Sequence, residues 1–331
     1  MNILITGGSG FIGQRLAREL LTRGCLNVDN KHQVEINNII LADIAVPQSL
    51  QTQVDDLSRV QIKIGDITDK LYLNSLFVQP VDLVFHLASI VSGQGEDDFD
   101  LALKVNLFAG ELLFNAIRAQ HTNTRTVFAS SIAVFGGDAM PQIVSDYTKQ
   151  TPGTTYGMTK AMLELLVNDY SRKQFFDGRS ARLPTVIIRP GKPNKAASGF
   201  FSGLFREPLN GKPCVIPVDE SSAHPVSGYR AVVNNLIKLA EIDSGELGSD
   251  RAVCLPAINT NVRELMDALK NSAGARATGK HILKPDHKIA QIVDGWPKQV
   301  DAARAITLGL NVEPDIEKIV SYYMDDYLFE N

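Results

Sequence analysis

The chain is poor in the features that mark membrane, nucleic-acid-binding or disulfide-built proteins. Its three cysteines, Cys25, Cys214 and Cys254, are far apart and outside any CxxC spacing. That excludes a disulfide framework, gives no metal site and fits a reducing compartment. No apolar run approaches the roughly 20 residues of a membrane-spanning helix. Thirty-three basic residues are interspersed with 37 acidic ones, for a net charge of −4. No basic face therefore argues for nucleic acid, and no cationic amphipathic run argues for a lipid surface. Internal repeats and low-complexity tracts are also missing. An apolar strand beginning at Asn2 or Ile3 leaves no room for a signal peptide, so a cytoplasmic protein with small-molecule partners is expected.

What remains is a chain of 331 residues, enough for one large α/β unit with a smaller appendage or for two modest domains. Short apolar runs alternate with helical stretches through the first 190 residues, the pattern of a parallel sheet covered on both faces. The strands are expected at Asn2 to Thr6, Asn38 to Ala42, Val60 to Ile64, Leu83 to Leu87, Thr126 to Ala129 and Thr185 to Ile188. Helices are expected near Gly10 to Arg23, Lys70 to Leu76, Asp98 to Ala119 and Gly157 to Lys173. Right-handed crossovers make this a doubly wound sheet with its ligand crevice at the carboxyl ends of the strands. After Arg189, prolines 190, 193, 208, 213, 217 and 225 punctuate what read as substrate-side loops. Helical periodicity returns at Val226 to Glu241, Asn261 to Ser272, Pro297 to Leu308 and Pro314 to Tyr327. We therefore expect a Rossmann-type domain over 1–190, rejoined by a segment near 226–258, and a smaller, interleaved substrate-binding region over 191–331.

The first strand runs into Thr6-Gly7-Gly8-Ser9-Gly10-Phe11-Ile12-Gly13. In this turn Gly7 permits the tight bend, Gly10 lets backbone approach a pyrophosphate and Gly13 allows close helix packing, while Phe11 and Ile12 open a helix whose N-terminus faces the negative charge. Asp43 ends the second strand where an adenosine ribose would lie; it can accept from both ribose hydroxyls and would repel a 2′-phosphate, favouring NAD over NADP. Asp66 is placed to bond the adenine amino group with Ile67 against the ring, and capping of the next helix by Thr68 or Asp69 is equally compatible. Leu87 and Ala88 let backbone run beside the cofactor. The preceding His86 reads as a hydrogen-bonded core residue rather than a catalyst. Asn106 either bridges its helix to the fourth strand or holds a water near a lysine, and the bridge is favoured.

Chemistry enters with Tyr156-Gly-Met-Thr-Lys160. Four residues apart on a helix, the phenol and the ammonium share one face. A tyrosine pKa of about 10 makes a poor base at neutral pH, and a neighbouring cation favours the phenolate. Tyr156 then takes the proton from a substrate hydroxyl while hydride leaves the same carbon. The fifth strand delivers Ser130 and Ser131 to the same crevice, where one serine holds the substrate oxygen; no acid and His partner suggests a hydrolase triad.

In this order the motifs resemble the extended short-chain dehydrogenase/reductases, the family of nucleotide-sugar epimerases and dehydratases. The matching segments are TGGSGFIG, Asp43, GDITD, HLAS, VNLFAG, SSIAVFG and Tyr156 to Lys160. The resemblance implies that Ser131, Tyr156 and Lys160 are catalytic, that Lys160 also binds the nicotinamide ribose, and that Pro190 touches the carboxamide. Beyond residue 190 the match to sugar-nucleotide enzymes weakens. Arg182 to Ser198, Phe205 to Gly211 and the closing Gly295-Trp-Pro are similar to a subgroup that uses NAD to oxidise the C2 hydroxyl of a four-carbon sugar acid, D-erythronate. A small acid needs a cation, for which Lys192 and Arg230 are candidates, and Asn194 is a candidate for substrate hydroxyls. A nucleoside-diphosphate-sugar 4-epimerase and a non-catalytic dinucleotide sensor are the competing readings. Resemblance further implies a homodimer through the helices starting near Asp98 and Gly157.

Overall fold

The computed structural model describes residues 1–29, 32–46, 58–191, 197–273, 276 and 279–328. Seven parallel strands form the main sheet: β1 (Asn2–Thr6), β2 (Asn38–Asp43), β3 (Val60–Ile64), β4 (Leu83–His86), β5 (Arg125–Ser131), β6 (Asp177–Leu183) and β7 (Ala252–Cys254). Their order is β7-β6-β5-β4-β1-β2-β3. The chain winds outward from β1 in both directions, so the order reverses there and a crevice opens at the carboxyl ends of β1 and β4. Helices α1 (Phe11–Arg23) and α4 (Tyr229–Glu241) cover one face, burying Leu16, Leu20, Leu236 and Ile237 against Ile3, Ile5 and Phe85. On the other face α2 (Ala109–Ala119) and α3 (Thr155–Arg172) pack Leu113, Phe114 and Leu163 against Leu4, Val84 and Phe128.

The later part of the chain returns to this sheet before leaving it again, since both α4 and β7 belong to the main core. The smaller lobe has its own core, in which Phe201, Leu204 and Phe205 meet Leu265, Leu269, Ile319 and Val320. Joining the two is a three-stranded sheet built from Thr185–Ile187, Ala223–Gly228 and Ile258–Asn261.

Four expectations need correcting. The sixth sheet strand is Asp177–Leu183, and Thr185–Ile187 belongs to the small connecting sheet. Arg179 and Arg182 make the true strand look unlike a buried one; inside the fold Arg179 pairs with Asp177, and Arg182 meets Glu164 at 2.8 Å. The helix expected from Pro297 is instead a strand at Gln299–Val300 followed by a short helix at Ala303–Thr307. Tertiary contacts decide this, because Asn259 brackets Val300 with hydrogen bonds of 2.9 and 3.2 Å. The helix expected from Val226 starts at Tyr229, after a strand that ends in Gly228. Finally, the stretch from Asp98 to Ala119 is helical but widens over Leu103–Phe108 into a π-turn.

Candidate active site

Gly7 follows β1 at φ +69°, a conformation that favours glycine, and a Cβ there would stand 2.8 Å from the Ala88 nitrogen. A Cβ on Gly13 would lie 2.5 Å from the Gly7 carbonyl, so these two glycines set how closely α1 approaches the turn. Gly10 occupies the N-cap position of α1 with no side chain to cap it, which leaves the helix N-terminus open to an anion. Phe11 and Ile12 line the cleft beside it, as does Leu87 after β4. Ala88 lies against Gly7, its N–H facing the Thr6 hydroxyl at 3.4 Å.

Asp43 closes β2 with one carboxylate oxygen accepting from the Ser9 N–H at 3.0 Å and the other from Ile44 at 2.8 Å. The carboxylate is thereby fixed against the glycine turn. Asp66 follows β3 and accepts from the Thr68 N–H at 2.8 Å. The next helix is capped by Asp69 through the Leu71 N–H at 2.8 Å, and Ile67 is buried behind it.

Asn106 is buried inside the π-turn. Its side-chain oxygen accepts from the Ile90 N–H at 2.8 Å and from Ser89 Oγ at 3.1 Å, and its amide donates back to the Ile90 carbonyl. Asn106 is thus a bridge to the loop after β4. His86 is a core residue: Nδ1 is 2.7 Å from Thr6 Oγ1 and the ring stacks on Phe128. Burial, with Lys160 nearby, pushes its pKa down to about 3.

The two serines ending β5 diverge, as successive strand residues must. Ser130 donates to the buried Glu164 carboxylate, which also receives Arg182 and Gln150. Ser131 Oγ accepts from the Ala133 N–H at 3.1 Å and is hydrogen-bonded to the Tyr156 phenol. That second bond depends on where α3 begins. Thr154 caps it through the Gly157 N–H at 3.1 Å, and a Cβ on Gly157 would sit 2.0 Å from the Ala133 carbonyl. Only glycine lets the helix start against the serine turn and bring Tyr156 to Ser131.

Lys160 is buried one turn below, donating to the Ala129 carbonyl at 2.8 Å with Nζ 5.4 Å from the Tyr156 ring centre. Burial pulls its pKa down to about 7, and Glu164 opposes that. Burial likewise drives Tyr156 up to about 12, against the Ser131 hydrogen bond. Sequence reasoning expected the lysine cation to lower the phenol. In the protein alone desolvation dominates, and what opposes it is the Ser131 hydrogen bond rather than the lysine.

These groups open on a cleft of about 420 Å³ between the sheet and the smaller lobe, walled on the far side by Thr185, Arg189, Ser198, His224 and Trp296. Arg230 is not among them. It lies 2.7 Å from Asp326 and over the Tyr322 ring, lining a separate cavity at α1 and α4. Position 230 faces the C-terminal helix because it stands in the first turn of α4, on the sheet side of the molecule. Pro190 is not among the residues lining this cleft, whereas Pro184, directly after β6, is. The sixth strand of the sheet begins eight residues before the expected Thr185, at Asp177. Lys192 and Asn194 lie outside the described residues.

The cation that sequence reasoning missed is Arg189. It is half-buried in the cleft, has no acidic partner among the described residues, and its pKa is lowered by burial and by Arg206. Its sequence signal was ambiguous, since an Arg-Pro pair near a strand end read as nicotinamide lining. His224 gave no local signal, and Thr185 and Trp296 stood only inside segments that carried the resemblance, without a role of their own. Among the described residues, no group of three or more His, Cys, Asp or Glu side chains is placed to hold a metal ion.

Full-length relatives share this arrangement of sequence. The chain is 40% identical to D-erythronate dehydrogenase from Cupriavidus necator, covering 98% of both proteins, and 38% identical to D-erythronate dehydrogenase from Haemophilus influenzae, covering 98% of this chain and 99% of that one. Among solved structures it matches a nucleoside-diphosphate-sugar epimerase from Agrobacterium tumefaciens with a TM-score of 0.90 and 38% identity, over 99% of this chain and 94% of that one. A GalE-like L-threonine dehydrogenase from Cupriavidus necator, 21% identical over 98% of this chain and 99% of that one, shares the fold with a TM-score of 0.84. The model of the NAD dependent epimerase/dehydratase family matches residues 3–225, and the chain belongs to that family.

Proposed function

We propose that this protein is an NAD-dependent dehydrogenase that oxidises the C2 hydroxyl of a small sugar acid, D-erythronate, to the 2-oxo acid. One observation carries the reading: the Ser131, Tyr156 and Lys160 group and the acid-free guanidinium of Arg189 face the same cleft. A 2-hydroxy acid needs a base at its hydroxyl and a cation at its carboxylate. Arg230 is committed to Asp326, so of the cations among the described residues we assign the carboxylate to Arg189. The substrate named for the Cupriavidus and Haemophilus relatives fits this pairing.

The glycine cradle, the open helix N-terminus and Asp43 suit a nicotinamide dinucleotide. Gly7, Gly10 and Gly13 would hold its pyrophosphate, Asp43 its adenosine ribose, and Asp66 with Ile67 its adenine, with Leu87, Ala88 and Pro184 along the nicotinamide end. A carboxylate already fixed by Ser9 disfavours a 2′-phosphate, which supports NAD over NADP. Bound there, the cofactor supplies the acceptor for the hydride leaving C2 and, when oxidised, a positive charge that favours the Tyr156 phenolate. Ser131 holds the substrate oxygen, Tyr156 takes its proton as the C2–O double bond forms, and Lys160 orients the ribose while adding positive charge beneath the phenol.

A 4-epimerase reading draws on the name of the Agrobacterium structure and on a wider apolar cleft of about 1250 Å³ that adjoins the site at Thr154 and Trp296. We favour the dehydrogenase because the full-length curated relatives carry that name. We assign residues 1–190 with 226–258 to cofactor binding and 191–331 mainly to the substrate. A homodimer is supported by exposed apolar side chains on adjoining helices, and a cytoplasmic setting by three separated free thiols. Among the described residues no helix is long and apolar enough to cross a membrane.

Incubation with excess NAD and D-erythronate should give a steady rise in NADH absorbance, with Tyr156→Phe as the inactive control. Arg189→Gln should raise KM for the acid by about 10- to 100-fold, the worth of a charge-assisted hydrogen bond, with cofactor affinity unchanged. Absence of net NADH together with interconversion of nucleotide sugars would establish the epimerase instead.

A further inference from the structure

We infer that Thr185, held by His224, reads the substrate's hydroxyls beyond the reacting carbon; the inference rests on the sugar-acid reading above. Thr185 pairs in register with Val226, two residues from His224, so Thr185 and His224 share one face of the small connecting sheet. His224 Nε2 lies 2.6 Å from Thr185 Oγ1, and both residues line the cleft that holds Tyr156. The ring is fixed on both sides, stacked on Phe201 at 4.9 Å and against Trp296 at 5.2 Å. It has no freedom to turn away.

His224 is 2% exposed. Burial and the nearby Lys298 keep it uncharged, its pKa pushed down to about 3. A neutral imidazole has one donor and one acceptor nitrogen. Nδ1 has no hydrogen-bond partner among the described residues, so the ring's polar anchor is the bond between Nε2 and the threonine hydroxyl, which either tautomer can make. In either case Thr185 Oγ1 keeps at least one lone pair at the cleft wall, an acceptor for an O–H donor. A valine would fill the same space without two buried polar groups to satisfy. The pair is what a polyol acid requires and an unsubstituted hydroxy acid does not.

Steady-state kinetics with the intact protein and NAD test this. The readouts are kcat/KM for D-erythronate and the inhibition constant of 2-hydroxybutanoate of the same C2 configuration, which lacks the C3 and C4 hydroxyls. Thr185→Val should lower kcat/KM for D-erythronate by about tenfold, one neutral hydrogen bond, and leave the inhibition constant within about twofold, which is below the effect of such a bond. Thr185→Ser should restore the wild-type value. Equal effects on both compounds, no effect on either, or no recovery in the serine variant overturns the assignment. Wild-type protein that forms no NADH from D-erythronate removes the sugar-acid reading and this inference with it, whereas an active wild type with an indifferent valine variant removes the inference alone.

Discussion

At Tyr156 the effect that dominates the phenol is one the sequence does not display. The lysine four residues on is visible in the motif, but the burial that drives the phenol up to about 12 and Lys160 down to about 7 depends on the finished fold. Burial also governs the histidines. His86 and His224 both have folded pKa values near 3, below the ordinary 6.5. Between these values the unfolded chain binds protons that the folded chain refuses. The histidine contribution to stability is thus complete above about pH 6.5 and falls as the pH drops toward 3, by up to about 1.4 kcal/mol per pH unit for each histidine. Urea unfolding at pH 7.5 and 5.0 should show this loss, and His86→Asn should remove about half of the histidine share. A pH-independent midpoint over that range would contradict the burial of both rings.

Among the elements, the start of α3 matters most to the chemistry. Gly157 puts helix backbone against the Ala133 carbonyl, where a methyl group has no room. Gly157→Ala should push Tyr156 away from Ser131, lowering kcat by about 100-fold, since misplacement of about 1 Å has that cost. Gly153→Ala, at a position with nothing within 4 Å of the added Cβ, should match wild type. Stopped-flow hydride transfer in the two variants gives the comparison; equal rates would mean the helix start tolerates the shift. Strands β1 to β5 and helices α1 to α4 were legible because their apolar periodicity is local. β6 was not, because Arg179 and Arg182 are charged and acquire partners only in three dimensions. For the same reason the grouping of the cleft's far wall was not visible: Thr185, His224 and Trp296 are far apart in sequence and meet at the small connecting sheet. The cofactor turn and the Tyr-Lys motif are contiguous, and contiguous chemistry is readable.

For the whole molecule, the apolar surface left open by the fold is where we propose that a second copy binds. The helical stretch Phe99 to Ala119 and α3 pack side by side on one face of the sheet, and both leave large apolar side chains in solvent. Phe99 and Phe108 are 53% and 52% exposed on the first, Met162 and Leu165 43% and 63% on the second. An apolar patch on two adjacent helices suits a twofold contact, in which each helix pair meets its own copy. The patch lies on the helix that carries Tyr156 and Lys160, so dimerisation would stiffen the catalytic helix directly. Phe108→Asp with Leu165→Glu places four charges across a twofold interface and should convert the dimer to a monomer in light scattering after gel filtration. Because those side chains point away from the cleft, NAD binding should survive in the monomer while kcat falls. A wild-type monomer, or a double variant that remains dimeric, would move the interface elsewhere.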